Sequence, residues 1–373
     1  MPPHDKSMVV CLGPGGVGKT SITAALAIRA AGEGRKTLAF TIDPAKRLAN
    51  AIGMSEVKTG DIVHVEDNFD ILMLDVKGTW ERVVKKYSKS AEQFYRIRNN
   101  RFFDYLSDNF PGFNEYIAVE KIHELITENR YDLIIIDTPP TSYAMSFLEA
   151  PSRVLNVLDL NFVKLFLHPY LKFGRFTLRY TLQKEFFILR QLAKFTGIDM
   201  LKELASFIFE FDGMFQGFRE RAEMVRNRLK SGDTTFLIVT STDHRRLDEA
   251  HQTRLNLEES GYPFFGYIIN RCCWMCTGTE IPCRFLSLKP GESDFTRRAS
   301  AAGLDEPLAQ KLFRNLDEHL AVQRKIFSEI RKLCRDSGAG KPCIVTPSFP
   351  EDIHNLEGLH RLADKFIPLK SGC

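Results

Sequence analysis

One segment constrains this chain more than any other. Gly13-Pro-Gly-Gly-Val-Gly-Lys-Thr20 follows the apolar run Met8–Leu12 (MVVCL) and precedes the alanine-rich stretch Ser21–Ala31 (SITAALAIRAA). The spacing G-x-x-x-x-G-K-[ST] between a strand and a helix belongs to a loop whose backbone N–H groups wrap phosphate oxygens. The helix N-terminus adds the positive end of its dipole. Gly15, Gly16, Val17, Gly18 and Ser21 would then surround the phosphates. Lys19 would bridge the terminal phosphates, and the Thr20 hydroxyl would ligate Mg²⁺.

Such a loop opens at the carboxyl edge of a parallel sheet. Short apolar runs recur at Met8–Leu12, Thr37–Ile42, Asp70–Leu74, Leu133–Asp137, Phe236–Thr240, Phe264–Ile269 and Cys343–Thr346. Runs that are apolar on both faces are strands covered by helices on both sides. The fold expected is α/β and doubly wound, a mostly parallel sheet of about seven strands (a P-loop NTPase) with a helical insertion. Almost 100 residues with helical periodicity separate the fourth and fifth runs, too many for one crossover helix. The division expected is a nucleotide domain over 1–150 with a helical segment at about 76–128, a helical client or interface subdomain over 151–230, and the rest of the nucleotide domain over 231–373. The stretch 272–300 reads as a Cys-rich loop, and long helices are expected over about 305–336 and 351–367.

The same glycines also fit G-x-G-x-x-G, with Asp43 ending the next strand 25 residues after Gly18, where a dinucleotide's ribose would be bound. A dinucleotide-binding oxidoreductase is the remote alternative. Gly-Lys-Thr argues against it, because it puts a cation and a hydroxyl where the dinucleotide turn needs close packing. Asp137, ending the run LIIID, is placed as a magnesium-supporting acid. Asp43-Pro-Ala-Lys-Arg-Leu48 and Asp137-Thr-Pro-Pro-Thr141 both start at strand ends on the loop's edge. Each alone also reads as a helix N-cap followed by proline.

Together these segments resemble the arsenical-pump and guided-entry tail-anchored-protein targeting ATPases, a deviant-Walker, MinD-like family. The chain looks like a single-nucleotide-domain, bacterial-type member. Gly15–Thr20 matches the family's phosphate loop and Asp43-Pro-Ala45 its first switch. Pro111-Gly-Phe-Asn-Glu115 matches its P-G-x-x-E segment, Asp137–Thr141 its second switch and Phe147–Pro151 the continuation. Asn270-Arg271 and Pro347-Ser-Phe349 are similar to its adenine-reading and base-packing segments. The resemblance implies Asp43 as the water-activating residue, with Lys19 beside it in catalysis. It implies Asn270, Arg271, Pro347 and Phe349 around the base, and Asp137 supporting Mg²⁺ through water. It further implies an ATP- and Mg²⁺-dependent homodimeric switch, coupling hydrolysis to capture or delivery of a hydrophobic or membrane-associated client.

Departures from the family pattern matter. Pro14 stands where the family loop carries a Lys that reaches the partner's phosphates, so the alternative is a nucleotide-binding scaffold with little turnover. Ser142-Tyr143 replaces Gly-His, and no Cys falls near Phe313–Leu316, where the family's zinc-binding C-x-x-C would align.

Cys272, Cys273, Cys276 and Cys283 cluster, while Cys11, Cys334, Cys343 and Cys373 are scattered. The Cys273/Cys276 C-x-x-C pair with Cys272 and Cys283 offers four thiolates, which suit zinc or an iron–sulfur cluster; ordinary reduced thiols are the other reading. This usage is unlike a disulfide-stapled domain, and with no signal or transit pattern in MPPHDKSMVVCLG the location expected is cytoplasmic. Residues 161–195 carry seven Lys/Arg against one acid, Glu185, and 12 of the 29 Phe lie within 161–218. This composition suits an apolar client, a peripheral membrane contact or a self-packed helical core. A balance of 51 basic and 47 acidic residues gives no basis for a nucleic-acid partner, and no apolar stretch is long enough for a transmembrane helix.

Overall fold

In the computed structural model of the chain, the residues described are 5, 7–43, 47–54, 56–109, 112–140, 147–150, 198–211, 213–272, 291–338 and 340–369. All seven expected runs are strands: β1 (Met8–Leu12), β2 (Thr37–Thr41), β4 (Phe69–Met73), β5 (Leu133–Asp137), β6 (Thr234–Ser241), β7 (Phe264–Cys272) and β8 (Cys343–Pro347). The sheet has nine strands rather than seven. The additional ones are β3 (Ile62–Glu66), antiparallel to β4, and the two-residue β9 (Ile367–Pro368), antiparallel to β8. Both are edge strands, and no residue of β3 is buried, so neither shows the doubly apolar pattern that marks the others.

The order is β3-β4-β2-β5-β1-β6-β7-β8-β9, with β1 in the middle. Alternate residues of β1 feed opposite cores. Val9 and Cys11 face the layer built by α1 (Lys19–Gly32), α2 (Arg47–Ile52) and a helix at Leu356–Ala363. Met8, Val10 and Leu12 face the larger layer on the other side.

That larger layer contains α3 (Val76–Tyr87), α4 (Ala91–Arg98), α5 (Arg101–Asn109) and α6 (Phe113–Glu128), which fill the expected helical segment. Asp75 caps α3 by accepting from the Gly78 N–H at 3.0 Å, and Ser90 caps α4. The layer continues with α7 (Ile198–Phe211) and α8 (Phe215–Lys230). Trp80 joins the two groups. Its ring stacks on Phe103 and on Phe211, each at 5.4 Å, and meets Phe113 edge-on at 5.2 Å. Of the Phe cluster, Phe207, Phe211 and Phe218 are core and Phe215 is partly buried, whereas Phe209 is 64 % exposed. The segment 161–195 lies outside the described residues.

Three expectations need correction. The stretch 272–300 is not all loop: Cys272 ends β7, and Glu292–Ala301 is a helix, started by Gly291 with Glu292 and Asp294 in its first turn. The last long helix is shorter than 351–367, because Asn355 caps it at Leu356. Cys334 and Cys343 are not isolated thiols. The turn after the helix Glu306–Asp336 returns the chain to β8 and joins them in a disulfide with Cα atoms 6.0 Å apart.

A buried ion pair locks α6 to α8. Arg221 Nε donates to Glu120 at 2.7 Å, the Tyr116 hydroxyl donates to the same carboxylate, and the guanidinium lies 3.8 Å from the Tyr87 ring centre. Burial pushes the Glu120 carboxyl above its ordinary range, against the pull of Arg221. Arg221→Leu strands that carboxylate and should cost about 3–5 kcal/mol in urea denaturation. Adding Glu120→Leu should recover most of the loss.

Candidate functional site

The loop leaves the carboxyl end of β1, between β5 and β6, where the chain turns from building one half of the sheet to the other. Two glycines are dictated by space. A Cβ on Gly13, at φ +149°, would sit against the Val239 carbonyl oxygen, and one on Gly18, at φ +86°, would strike the Asn270 amide. Gly18 also starts α1 without any side-chain cap, so the first-turn N–H groups of that helix face the cleft.

Lys19 is buried, and its Nζ donates to the carbonyls of Gly13 and Pro14, each at 2.8 Å. Burial lowers its pKa, opposed by the nearby Asp137 carboxylate. The ammonium is thus held by its own loop, within reach of the space the loop surrounds.

Asp137 is in register with Cys11 of β1 and Thr41 of β2. Its Oδ2 accepts from the Thr20 hydroxyl at 2.8 Å and the Thr41 hydroxyl at 3.2 Å, while its buried Oδ1 has no hydrogen-bond partner. An unsatisfied carboxylate oxygen beside a hydroxyl is a hard-oxygen set suited to Mg²⁺ or its water shell, so these residues fit that ion. Burial raises the Asp137 pKa to about 6. Asp43 lines the same cleft. Its N–H donates to the Thr41 hydroxyl at 3.3 Å, and its carboxylate lies 3.5 Å from the Arg47 guanidinium.

The cleft, about 340 Å³, brings together Gly16, Gly18, Lys19, Thr20, Ser21, Asp43, Thr138 and Arg271. It also takes in residues the sequence reading missed. Arg47, Asn50 and Ala51 occupy one face of α2, and that i, i+3, i+4 spacing directly after Asp43 was a usable signal. Pro140, Ile353 and His354 also line it; for the last two no local pattern points to the site. Asn270 lies behind the loop, its Nδ2 donating to the Val17 carbonyl at 2.8 Å. Pro347 and Phe349 are not among the lining residues. Pro347 ends β8 opposite Cys272, and Phe349 packs on the α1-side core. Cys273, Cys276, Pro44, Ala45, Pro111 and Thr141 lie outside the described residues. Among the described residues no cluster of three His, Cys, Asp or Glu could hold a metal, and no helix is long and apolar enough to cross a membrane.

A phosphate loop on the central strand, with a buried acid in register on the next strand, defines a P-loop nucleoside triphosphatase. Residues 6–292 match the family described as Anion-transporting ATPase. The chain belongs to that family and is an ATP hydrolase. It is 26 % identical over 299 residues to "ATPase GET3C" of Arabidopsis thaliana, covering 75 % of this chain and 70 % of that protein. It is 27 % identical over 150 residues to "ATPase GET3" of Phaeosphaeria nodorum, covering 39 % and 46 %. It is 21 % identical over 281 residues to "ATPase ASNA1 homolog" of Plasmodium berghei, covering 72 % and 63 %. The chain thus spans less than two thirds of the last two relatives.

The Asp137 titration sets a pH dependence. The folded carboxyl takes up its proton at higher pH than an unfolded Asp does. Protonation therefore favours the ligand-free fold as pH falls from about 6 towards about 4. A metal needs the carboxylate, so Mg²⁺-dependent nucleotide binding should weaken over the same interval. Calorimetric titrations between pH 5 and 8 should show the loss below about pH 6, and Asp137→Asn should abolish that pH step.

Proposed function

We propose that this chain is a Mg²⁺-dependent ATPase switch that works as a homodimer and couples its nucleotide state to the handling of a hydrophobic or membrane-associated client. The observation that carries the nucleotide half is the convergence of Lys19, Thr20, Asp43 and Asp137 at one end of three adjacent strands. On nucleotide binding, Lys19 exchanges its two loop carbonyls for oxygens of the terminal phosphates. The first-turn N–H groups of α1 hold the neighbouring phosphate. Thr20 and, through water, Asp137 would hold Mg²⁺, which would supply positive charge to the phosphate oxygens. Asp43 accepts a hydrogen bond from the attacking water and orients it. Lys19→Ala should lower the hydrolysis rate by roughly two to three orders of magnitude. Asp43→Asn should retain ATP binding while losing turnover; hydrolysis at the parental rate would remove Asp43 from this role.

The dimer and the client are supported by the family membership and by the aromatic composition of 161–218. Phe209, exposed on α7 beside a Phe-rich core, is consistent with a surface that meets apolar material. The loop itself bears on dimerisation. Pro14 is buried and supplies only its carbonyl, to Lys19, so no cation at this position reaches a partner. Pro14→Lys should strengthen ATP-dependent self-association, read by sedimentation with and without a non-hydrolysable ATP analogue. Unchanged association with nucleotide bound would mean that copies of the chain meet through other contacts or not at all.

A further inference from the structure

Lys19 is the only charged residue between Gly13 and Thr20. A terminal phosphate carries about two negative charges, so a single ammonium leaves part of that charge unopposed. The cleft brings two further cations to the loop, Arg47 and Arg271. They stand on opposite sides of it. Arg271 is on β7, two strands from β1 in one direction, whereas Arg47 opens α2, which follows β2, two strands from β1 in the other. Asp43, just after β2, and Asp137, at the end of β5, are on the Arg47 side. A nucleotide with its inner phosphates in the loop and its terminal phosphate towards these acids therefore meets Arg47 at its reacting end.

Little holds Arg47 where it stands. Its guanidinium lies 3.5 Å from the Asp43 carboxylate, and its side chain is 61 % exposed. An ion pair that open to water contributes little, so the guanidinium can leave it at small cost. Its charge also reaches Lys19: burial, and after it Arg47, lowers the Lys19 pKa against the pull of Asp137. Two cations directed at one space repel each other, and an anion between them removes that repulsion. We propose that Arg47 is a catalytic residue that the chain supplies to its own site: with MgATP bound, its guanidinium turns from Asp43 to the terminal phosphate and donates to two of its oxygens. The same movement opens the Asp43 carboxylate to the attacking water. In the reaction the water oxygen bonds to the terminal phosphorus as the bond to the bridging oxygen breaks, and the electron pair of that bond leaves on ADP. One water proton stays on the phosphate product and the other is released to solvent. Arg47 makes and breaks no covalent bond; it opposes the charge on the phosphoryl oxygens, most strongly in the transition state. This rests on the ATPase reading above and adds a second cation, from α2, to the one in the loop.

The test uses the full chain with magnesium throughout. It compares calorimetric binding of ADP and of a non-hydrolysable ATP analogue, alongside steady-state turnover. Arg47→Ala should weaken the analogue roughly tenfold while leaving ADP within about twofold. It should lower kcat roughly a hundredfold. Arg47→Lys, which keeps the charge and loses the planar fork, should recover part of both. The analogue-selective loss should persist when Arg47→Ala is placed in an Asp43→Asn background. Its disappearance there would mean that Arg47 acts only through Asp43, and would overturn the inference. Equal weakening of ADP and analogue, or unchanged analogue binding, would overturn it too. So would faster turnover, which would make the pair with Asp43 a restraint. If the parental chain binds neither nucleotide, or Lys19→Ala binds both as tightly as the parent, the ATPase reading itself fails and takes the inference with it.

Discussion

The hydrogen bond from the Thr20 hydroxyl to the Asp137 carboxylate ties the phosphate loop to the sheet, and the arrangement of the site depends on it. Asp137 can play this part because three parallel strands hold it in register, with Cys11 on one side and Thr41 on the other. Strands buried on both faces do not slip, since a one-residue shift would exchange two hydrophobic cores. The position of one carboxylate is therefore set by apolar contacts spread over the whole sheet.

Two buried charged groups in this chain illustrate opposite uses of the same physics. Glu120 is satisfied by Arg221 and Tyr116, and serves to join two helices. Asp137 is left with one oxygen unsatisfied, and Lys19 rests on two carbonyls that a phosphate could replace. A fully paired buried group adds specificity to packing. An incompletely paired one retains free energy that a ligand can release.

The helical layer on the other face depends on aromatic contacts. Trp80, on α3, is the common neighbour of α5, α6 and α7, so helices distant in sequence share one core. Most described members of the Phe cluster are used in that packing, and Phe209 is left at the surface. The abundance of Phe between 161 and 218 is therefore partly accounted for by ordinary core formation.

The phosphate loop, the seven inner strands and the placement of Asp43 and Asp137 at strand ends were all legible in the sequence. They are local: a fixed spacing of Gly, Lys and Thr, or a run apolar on both faces, follows from the backbone geometry of a few consecutive residues. The edge strands β3 and β9 were not legible, because an edge strand needs no doubly apolar pattern. Only the tertiary structure brought Ile353 and His354 to the cleft and moved Phe349 into a core. Only a strand register could reveal that Asn270 and Arg271 share a bulge, with Asn270 buried against the phosphate loop and Arg271 lining the cleft. Such assignments depend on which residues oppose one another across strands far apart in the chain, a relation that no local pattern encodes.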